Sequence, residues 1–563
     1  MPPPPPSHIT VLGAGLTGLS TAFHLSRHLP RTSKINLIEG SSRLGGWIDS
    51  RDHLVGFKDP SSGEMREGKV VLETGPRSIR PRGSRGAASM LRMLRDLDLL
   101  DSIVPIPFSH PSAQNRFLLD TSSSSLTALP SSPLSLIRTQ PPLLKGLLSS
   151  IASEPFKSKR NLQTTSAQDV NEKMSPLSEP YDGRDESVDS FFRRRFGPDI
   201  ADNLASAMVH GIYAASSRDL SVRAAFPSLW DSERRYGSVV AGMFLGTKSR
   251  SEREDEKREW RELGELGEER EKWSLYGLRG GLGSLISRLK DFVVKDDRVE
   301  IILDEMVRKI DHHDSTRTKS KKITVDGKER EMMTIHTGSR SFETSHLISA
   351  LPSSRLPIAS LPNLTYNPST SVGVINLVYP LPPSEVHPAG FGYLVPRPSI
   401  DETNKGGRNP SGVLGCIFDS TALPSDPPEL GGKITKLTMM IGGPYWSSYH
   451  PVQPLPSNAD DLIPQAIEHL EAVFPHLKCV RPILKIANLH TNCIPTYLPG
   501  HGDRLRELHA AIESGPWGGK LSLVGNSYGG VGVNDCVYHG ELVAKGLAQG
   551  NRLTGLEKWA NWD

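Results

Sequence analysis

The first clear pattern along the chain is His8-Ile9-Thr10-Val11-Leu12, short, apolar and β-branched, which predicts a buried parallel strand. Helical periodicity follows over residues 19–25, and Lys34-Ile35-Asn36-Leu37-Ile38 predicts a second strand. Strand patterns return at 299–302, 346–350 and 521–524, and alternating runs at 372–377 and 436–441 predict strands of a second sheet. The strand–helix–strand opening places the chain in the α/β class. Three stretches depart from this order. Residues 158–187 are polar with little apolar periodicity and read as a disordered insertion, and 401–410 as a polar loop. Residues 250–272 mix Arg, Lys, Glu and Asp densely and read as a charged, solvated helix, an excursion outside the core.

Between the first strand and its helix stands Gly13-Ala14-Gly15-Leu16-Thr17-Gly18, a G-x-G-x-x-G turn. Gly13 permits the tight turn, Gly15 lets backbone approach a pyrophosphate, and Gly18 lets the helix pack on the strand. The helix N-terminus then offers N–H donors to phosphates. Glu39 closes the second strand, where its carboxylate can accept both ribose hydroxyls and repel a 2′-phosphate. Strand, turn, helix, strand and acid fall in order, so this is a dinucleotide site and not an ordinary glycine turn. Near the other end, the strand at 521–524 runs through Gly525-Asn526 into a glycine-rich turn, with an apparent helix from Val537.

The chain has 563 residues, too many for one compact core, so two or three domains are expected. A formal net charge of +3 gives no field directed at nucleic acid. The four cysteines form no C-x-x-C pair, which excludes a zinc ribbon or a disulfide framework and points to reduced, mostly buried thiols. His312-His313 and the pair His24/His28 lack a third ligand at recognisable spacing, so no metal is expected. No run of about 18 apolar residues predicts a membrane-spanning helix. The opening Met1-Pro2-Pro3-Pro4-Pro5-Pro6 cannot form an amphipathic transit helix, so no cleavable presequence is expected and any targeting would be internal to the fold.

Further segments carry a resemblance. Ser41-Ser42-Arg43-Leu44-Gly45-Gly46-Trp47 resembles the R-x-G-G segment of the flavin amine oxidase and phytoene desaturase superfamily. Glu73-Thr74-Gly75-Pro76-Arg77-Ser78-Ile79-Arg80-Pro81, Asn115-Arg116-Phe117, His210-Gly211-Ile212-Tyr213, Gly390-Phe391-Gly392 and Asn492-Cys493-Ile494-Pro495 run in the order found in the mitochondrial-type protoporphyrinogen IX oxidase family. The resemblance covers most of the chain between Ile9 and Val543 and is specific in combination.

It implies three discontinuous parts: a Rossmann-like FAD-binding domain (1–100, 273–351, 484–563), a mixed-sheet substrate domain (101–124, 216–249, 352–483) and a helical membrane-associated domain (125–215). It implies non-covalent FAD held by Gly13, Ala14, Gly15, Leu16, Thr17, Gly18, Glu39, Arg43, Gly46, Trp47, Gly75, Pro76, Arg77, Ser78, Val307, Asn526, Val531, Gly532 and Val533. Within that set Arg43 would neutralise phosphate, Val307 would touch the adenine end through its backbone, and Arg77 is either a flavin or substrate orienter or half of a structural ion pair. The family reaction removes six electrons from protoporphyrinogen IX, with flavin N5 accepting hydride and dioxygen leaving hydrogen peroxide, so no catalytic side chain is assigned. Arg116 would pair with a propionate, Phe391 would stack on a pyrrole, Leu356 would form the opposing wall, and Gly211 would hold backbone close to the substrate. The resemblance also implies peripheral attachment to the mitochondrial inner membrane on its intermembrane-space side, through apolar turns at 134–137 and 143–148. It leaves a homodimer open. The alternatives are a coproporphyrinogen III oxidase of the same fold, a polyamine-type oxidase or carotenoid desaturase, and a catalytically silent FAD or porphyrin carrier.

Overall fold

The computed structural model describes residues 4–59, 62–130, 142–144, 146–157, 184–312, 322–325, 328–397, 409–447 and 454–562. At its centre is a five-stranded parallel sheet in the order Leu521–Leu523, His346–Ser349, His8–Leu12, Lys34–Ile38, Val299–Ile302. A parallel sheet is covered on both faces, which is why its strands are apolar at successive positions. Ile9, Val11, Ile35, Leu37 and Ile348 pack with Leu19 and Phe23 of the helix Leu16–His28. Leu12, Ile38, Leu347, Leu521 and Leu523 face the other way, onto Leu505, Leu508 and Trp517.

A seven-stranded sheet lies beside it, in the order Leu484–Pro495, Ser369–Tyr379, Thr435–Gly442, Val413–Ile417, Gly392–Leu394, Phe117–Asp120, Ser125–Ala128. Its pairs are antiparallel except Gly392–Leu394 with Phe117–Asp120. Three domain boundaries therefore differ from expectation. Leu484–Pro495 pairs in this sheet and not with the nucleotide domain, and Ser125–Ala128 closes its far edge instead of starting the helical part. The helices Val222–Ala225, Pro227–Tyr236 and Val239–Leu245 join the helical layer, since Trp230 and Val239 pack with Phe191, Ala205 and Val209.

That layer is fixed by a buried ion pair between Arg195 and Glu154, both 0% exposed. Glu154 also accepts from the backbone N–H of Val239 (2.9 Å) and Val240 (3.2 Å). Leu144 is buried in the same apolar cluster, with Leu143 and Leu147 packed against it. Leu144 is core and Leu143 and Leu147 are half-buried against it, so the 143–148 turn is not the free apolar surface that was expected. Among the apolar side chains of this layer that face outward are Phe156 (89% exposed), Met243 (73%), Phe244 (87%) and Leu245 (61%). Residues 134–137 and 158–183 and most of the polar loop at 401–410 lie outside the described residues. Among the described residues no helix is long and apolar enough to cross a membrane.

The charged segment is a helix, Arg250–Arg261, begun by a capping box between Ser249 and Glu252. The helix buries no residue, in keeping with a solvated helix, but its end and the turn after it are docked on the core and are not an excursion from it. Leu263 is buried in the nucleotide-domain core, and Trp260 and Leu266 pack against it. The Arg270 guanidinium lies 3.8 Å from the Trp260 ring centroid, and Arg92 reaches Glu262 at 3.6 Å. Three apolar residues within a charged run suffice to dock it, and an average over composition hides them.

Candidate functional site

The glycine turn is built as its spacing requires. Gly13 has φ +88° and donates its N–H to Ile38 O at 2.8 Å. A Cβ on Gly18 would stand 1.8 Å from Gly13 O, so only glycine lets the helix sit this close to the turn. Gly15 instead faces the second glycine loop: its Cβ would meet only Gly46 Cα, at 3.8 Å. Gly45 N–H donates to Ala14 O at 2.8 Å and joins the two loops. The Glu39 carboxylate accepts from Ala14 N–H (2.7 Å), Ser41 N–H (3.0 Å) and the Ser41 hydroxyl (2.8 Å), which holds it at the mouth of the turn. The segment leading to Val307 is laid against this acid by Glu305 N–H to Glu39 O (3.0 Å) and Asp304 N–H to Ser41 O (3.1 Å). Val307 itself is half-buried.

The C-terminal half converges on the same place. The last long helix is Val533–Ala548, starting four residues before the expected Val537, with Gly532 as its extended N-cap. A Cβ on Gly540 of this helix would lie 2.5 Å from the Thr21 hydroxyl of Leu16–His28, and one on Gly525, before it, 3.3 Å from the Thr17 hydroxyl, so the two helices pack side by side toward their N-terminal ends. Such a junction is electropositive and offers unpaired N–H groups to an anion. Asn526 is pinned by its Nδ2 to Cys493 O (3.3 Å) and by the Tyr497 hydroxyl donating to Asn526 O. Burial holds the His539 pKa down to about 4, so this histidine is neutral as it bridges Gly525 N–H and Gly555 O. Val531 packs against the helical layer and Val533 against the nucleotide core.

Two arginines expected at the cofactor bond within the protein. Arg43 donates to Leu44 O (3.2 Å), Ile48 O (3.1 Å) and Gly46 O, so it shapes its own loop while its side chain stays half exposed. Arg77 pairs with Asp419 at 2.7 Å across the boundary between the two sheets, and its side chain is only 6% exposed. The structural ion pair, of the two readings for Arg77, is the one observed. Gly75 has Trp47 O 2.4 Å from where its Cβ would lie, so the 75–78 loop is wedged against Trp47. Its Pro76 is exposed and its Ser78 partly so.

On the substrate side, Arg116 and Phe391 come together. Phe391 N–H donates to Asn115 O (2.9 Å), and Asn115 Nδ2 donates to Ala389 O (2.8 Å). Arg116 is exposed, and no carboxylate among the described residues pairs with it. Gly211, on the helix Ser206–Tyr213, packs against Leu394 of the same strand region, with 2.7 Å from its would-be Cβ to Leu394 Cδ2. Leu356 does not join them. It is buried in the apolar cluster under the parallel sheet, with Leu12, Leu523 and Tyr528, which corrects its expected place on the opposing wall.

A cavity of about 680 Å³ opens beside the second glycine loop, lined among others by Trp47, Arg355, Asn367, Thr370, Trp446 and Asn492. None of Arg116, Phe391 and Gly211 lines it. Sequence reasoning passed over Arg355 and Trp446, which have no local motif. Asn492 carried one signal: it lies in a quoted family segment and adopts φ +50°.

Comparison with known proteins bears on this geometry. Residues 16–548 match the model of the flavin containing amine oxidoreductase family. The chain is 31% identical to the protoporphyrinogen oxidase of Schizosaccharomyces pombe, over 96% of this chain and 98% of that protein. It is 32% identical to the protoporphyrinogen oxidase of Homo sapiens, over 95% and 97%. A solved structure from Exiguobacterium sp. 255-15 superposes with a TM-score of 0.64 at 20% identity, covering 96% of this chain and 99% of that one, which supports the fold.

Proposed function

The chain belongs to the flavin-containing amine oxidoreductases, and from that premise we propose that it oxidises protoporphyrinogen IX to protoporphyrin IX in haem biosynthesis, with FAD held non-covalently. The observation that carries the reading is the backbone junction of the Asn115-Arg116 and Phe391 segments, which brings an arginine and an aromatic residue to the starts of two paired strands. The substrate offers a matching pair, an apolar tetrapyrrole face and a carboxylate edge.

The residues present suit the cofactor. Gly13 to Gly18 and Glu39 would hold its nucleotide, and the N-terminal ends of the two packed helices would favour its negative charge. The chemistry FAD supplies when bound is two-electron acceptance followed by reoxidation by dioxygen, so one macrocycle consumes three O2 and yields three H2O2. The protein's own part is to bind the macrocycle by its carboxylate edge, hold it in register and exclude water. No nucleophile or metal is needed. His210, buried and held at Nδ1 by Val395 O at 2.7 Å, has its pKa lowered to about 4 and serves to anchor the helical layer to the sheet.

The test is anaerobic mixing of purified holoprotein with protoporphyrinogen IX. The flavin absorbance should bleach, and aerobic turnover should raise porphyrin fluorescence faster than with coproporphyrinogen III. An unreduced flavin would leave a silent carrier, and preference for coproporphyrinogen III would transfer the reading to that tetracarboxylate. The same proposal places the protein peripherally on the mitochondrial inner membrane. The outward Phe156, Met243, Phe244 and Leu245 support that placement, since apolar side chains at this exposure suit an interface and not water. Liposome flotation should be lost in Phe156→Ser/Phe244→Ser, and unchanged flotation would reject this surface.

A further inference from the structure

The cavity of about 680 Å³ beside the second glycine loop has two kinds of wall. One is the flavin-side loop: Trp47 lines the cavity and follows Gly46, whose own Cβ would stand 3.1 Å from Gly15 Cα in the nucleotide turn. The other comes from the substrate sheet, at Thr370 and Gly443. The Thr370 hydroxyl donates to Tyr213 O at 3.4 Å, and a Cβ on Gly443 would lie 2.3 Å from Ala214 O. The helix Ser206–Tyr213, which carries Gly211, therefore ends against this second wall. The cavity adjoins both the flavin-side loop and the substrate helix, yet Arg116, Phe391 and Gly211 do not line it.

Its lining has a distinct chemistry. Trp446 is seated by glycine: a Cβ on Gly442, which has φ +105°, would fall 2.1 Å from Trp446 Cε3, 2.3 Å from Cζ3 and 2.5 Å from Cδ2. Nearly equal approach to three ring atoms means that the indole lies face-down on the Gly442 backbone, with the rest of the half-buried ring left to the cavity. Arg355 is the one charged residue among the described lining; it is exposed, and no carboxylate among the described residues pairs with it. Asn492 adds an amide. Its backbone, at φ +50°, donates N–H to the Ser371 hydroxyl at 3.0 Å, and its side chain bonds no described residue. Two indoles, an unpaired guanidinium and an amide, with no negative charge opposite, suit a flat aromatic ligand that bears a carboxylate.

We infer that this cavity is a second macrocycle site, selective for the oxidised, planar porphyrin. The inference rests on the substrate reading above, which supplies the two macrocycles to be told apart. Protoporphyrinogen IX has four saturated meso carbons, so its pyrroles share no common plane. Removing six electrons joins them into one flat conjugated ring. Stacking on an indole favours the flat ring, and the Arg355 guanidinium takes one of its propionates. The cavity thus retains product, and substrate is left to Arg116 and Phe391.

The experiment titrates FAD-replete holoprotein with protoporphyrin IX and with its dimethyl ester by Soret absorbance, alongside turnover of protoporphyrinogen IX. The proteins are wild type, Arg355→Met, Trp446→Ala and Trp446→Phe. Wild type should bind a porphyrin in addition to the one that competes with substrate. Arg355→Met and Trp446→Ala should weaken that additional binding about tenfold or more, with KM for protoporphyrinogen IX within about twofold of wild type. Trp446→Phe should keep most of it. On the dimethyl ester the Arg355→Met loss should vanish and the Trp446→Ala loss should persist. A single porphyrin per flavin in wild type, or additional binding unchanged in both Arg355→Met and Trp446→Ala, would overturn the inference. So would loss of flavin from both Arg355→Met and Trp446→Phe, since the cavity would then belong to the cofactor cleft. If Trp446→Ala fails to fold, Arg355→Met decides. Wild type that binds the additional porphyrin through Arg355 and Trp446 but never oxidises protoporphyrinogen IX would sink the substrate reading and leave the second site standing.

Discussion

Gly15 and Gly18 stand three residues apart in one turn, yet replacing each by alanine should fail in a different way. A Cβ on Gly18 would lie 1.8 Å from Gly13 O and 2.9 Å from its carbonyl carbon. A carbon–oxygen approach is tolerable at about 3.3 Å, so the helix Leu16–His28 must retreat by roughly 1.5 Å. That retreat opens the packing of Leu19 and Phe23, both fully buried, against the parallel sheet. Overpacking of this kind costs about 1–3 kcal/mol, and the collision with rigid backbone puts Gly18→Ala at or above the top of that range. Gly15 has φ −69° and ψ −175°, an extended conformation open to any residue, and its Cβ would find only Gly46 Cα at ordinary contact distance. Gly15→Ala should therefore cost the apoprotein about 1 kcal/mol or less, from weaker helix capping. Its damage should fall on the cofactor, because the methyl occupies the gap between the two glycine loops. The assay is thermal unfolding of deflavinated and FAD-reconstituted protein, with flavin content read by absorbance. Gly18→Ala should lower both melting temperatures. Gly15→Ala should melt near wild type without flavin and lose most of the extra stability that flavin confers. The reasoning is refuted if deflavinated Gly15→Ala melts as low as Gly18→Ala, or if Gly15→Ala takes up flavin normally.

Asp419→Ala strands the nearly buried Arg77 guanidinium and should cost about 3–5 kcal/mol in urea unfolding; a loss under 1 kcal/mol would mean that Arg77 finds another partner. Leu263→Ala should cost about 2–5 kcal/mol through the cavity it leaves in the nucleotide core, while Arg250→Ala, at the solvated end of the same segment, should stay within about 0.5 kcal/mol. Equal effects of the two would restore the solvated-excursion reading. Asp185 supplies a pH signature. Burial raises its pKa from 3.8 to about 6, against hydrogen bonds from the Ser221 hydroxyl and the N–H groups of Gly500 and Glu186. The folded state then holds this proton more tightly than the unfolded chain, so its contribution to stability falls as pH rises from about 4 to about 6. Asp185→Asn should remove that slope from the difference between wild-type and variant stability curves, and parallel curves across the window would contradict the shift.

The sequence by itself determined the nucleotide turn. Gly13, Gly15 and Gly18 and the acid at Glu39 are matched to requirements that act within about thirty residues, and backbone conformation over such a span follows from local sterics and strand periodicity. The strands of the parallel sheet were legible for the same reason, their successive apolar positions reflecting two covered faces. Tertiary structure decided which edge each strand finds and which partner each charge takes. Leu484–Pro495 pairs with Ser369–Tyr379, more than a hundred residues away in the chain. Asn534 and Asp535 look like turn residues in isolation, yet they stand in the first turn of a helix, where Asn534 Nδ2 donates to Arg80 O and the Asp535 carboxylate accepts from the Ser84 hydroxyl. Arg77 finds Asp419, Arg43 finds carbonyls of its own loop, and Leu143 and Leu147 find a core. An arginine or a leucine has the same local propensity whether it meets a ligand, a lipid, a carboxylate or another side chain. Only the packing of distant segments removes one of those partners and supplies another.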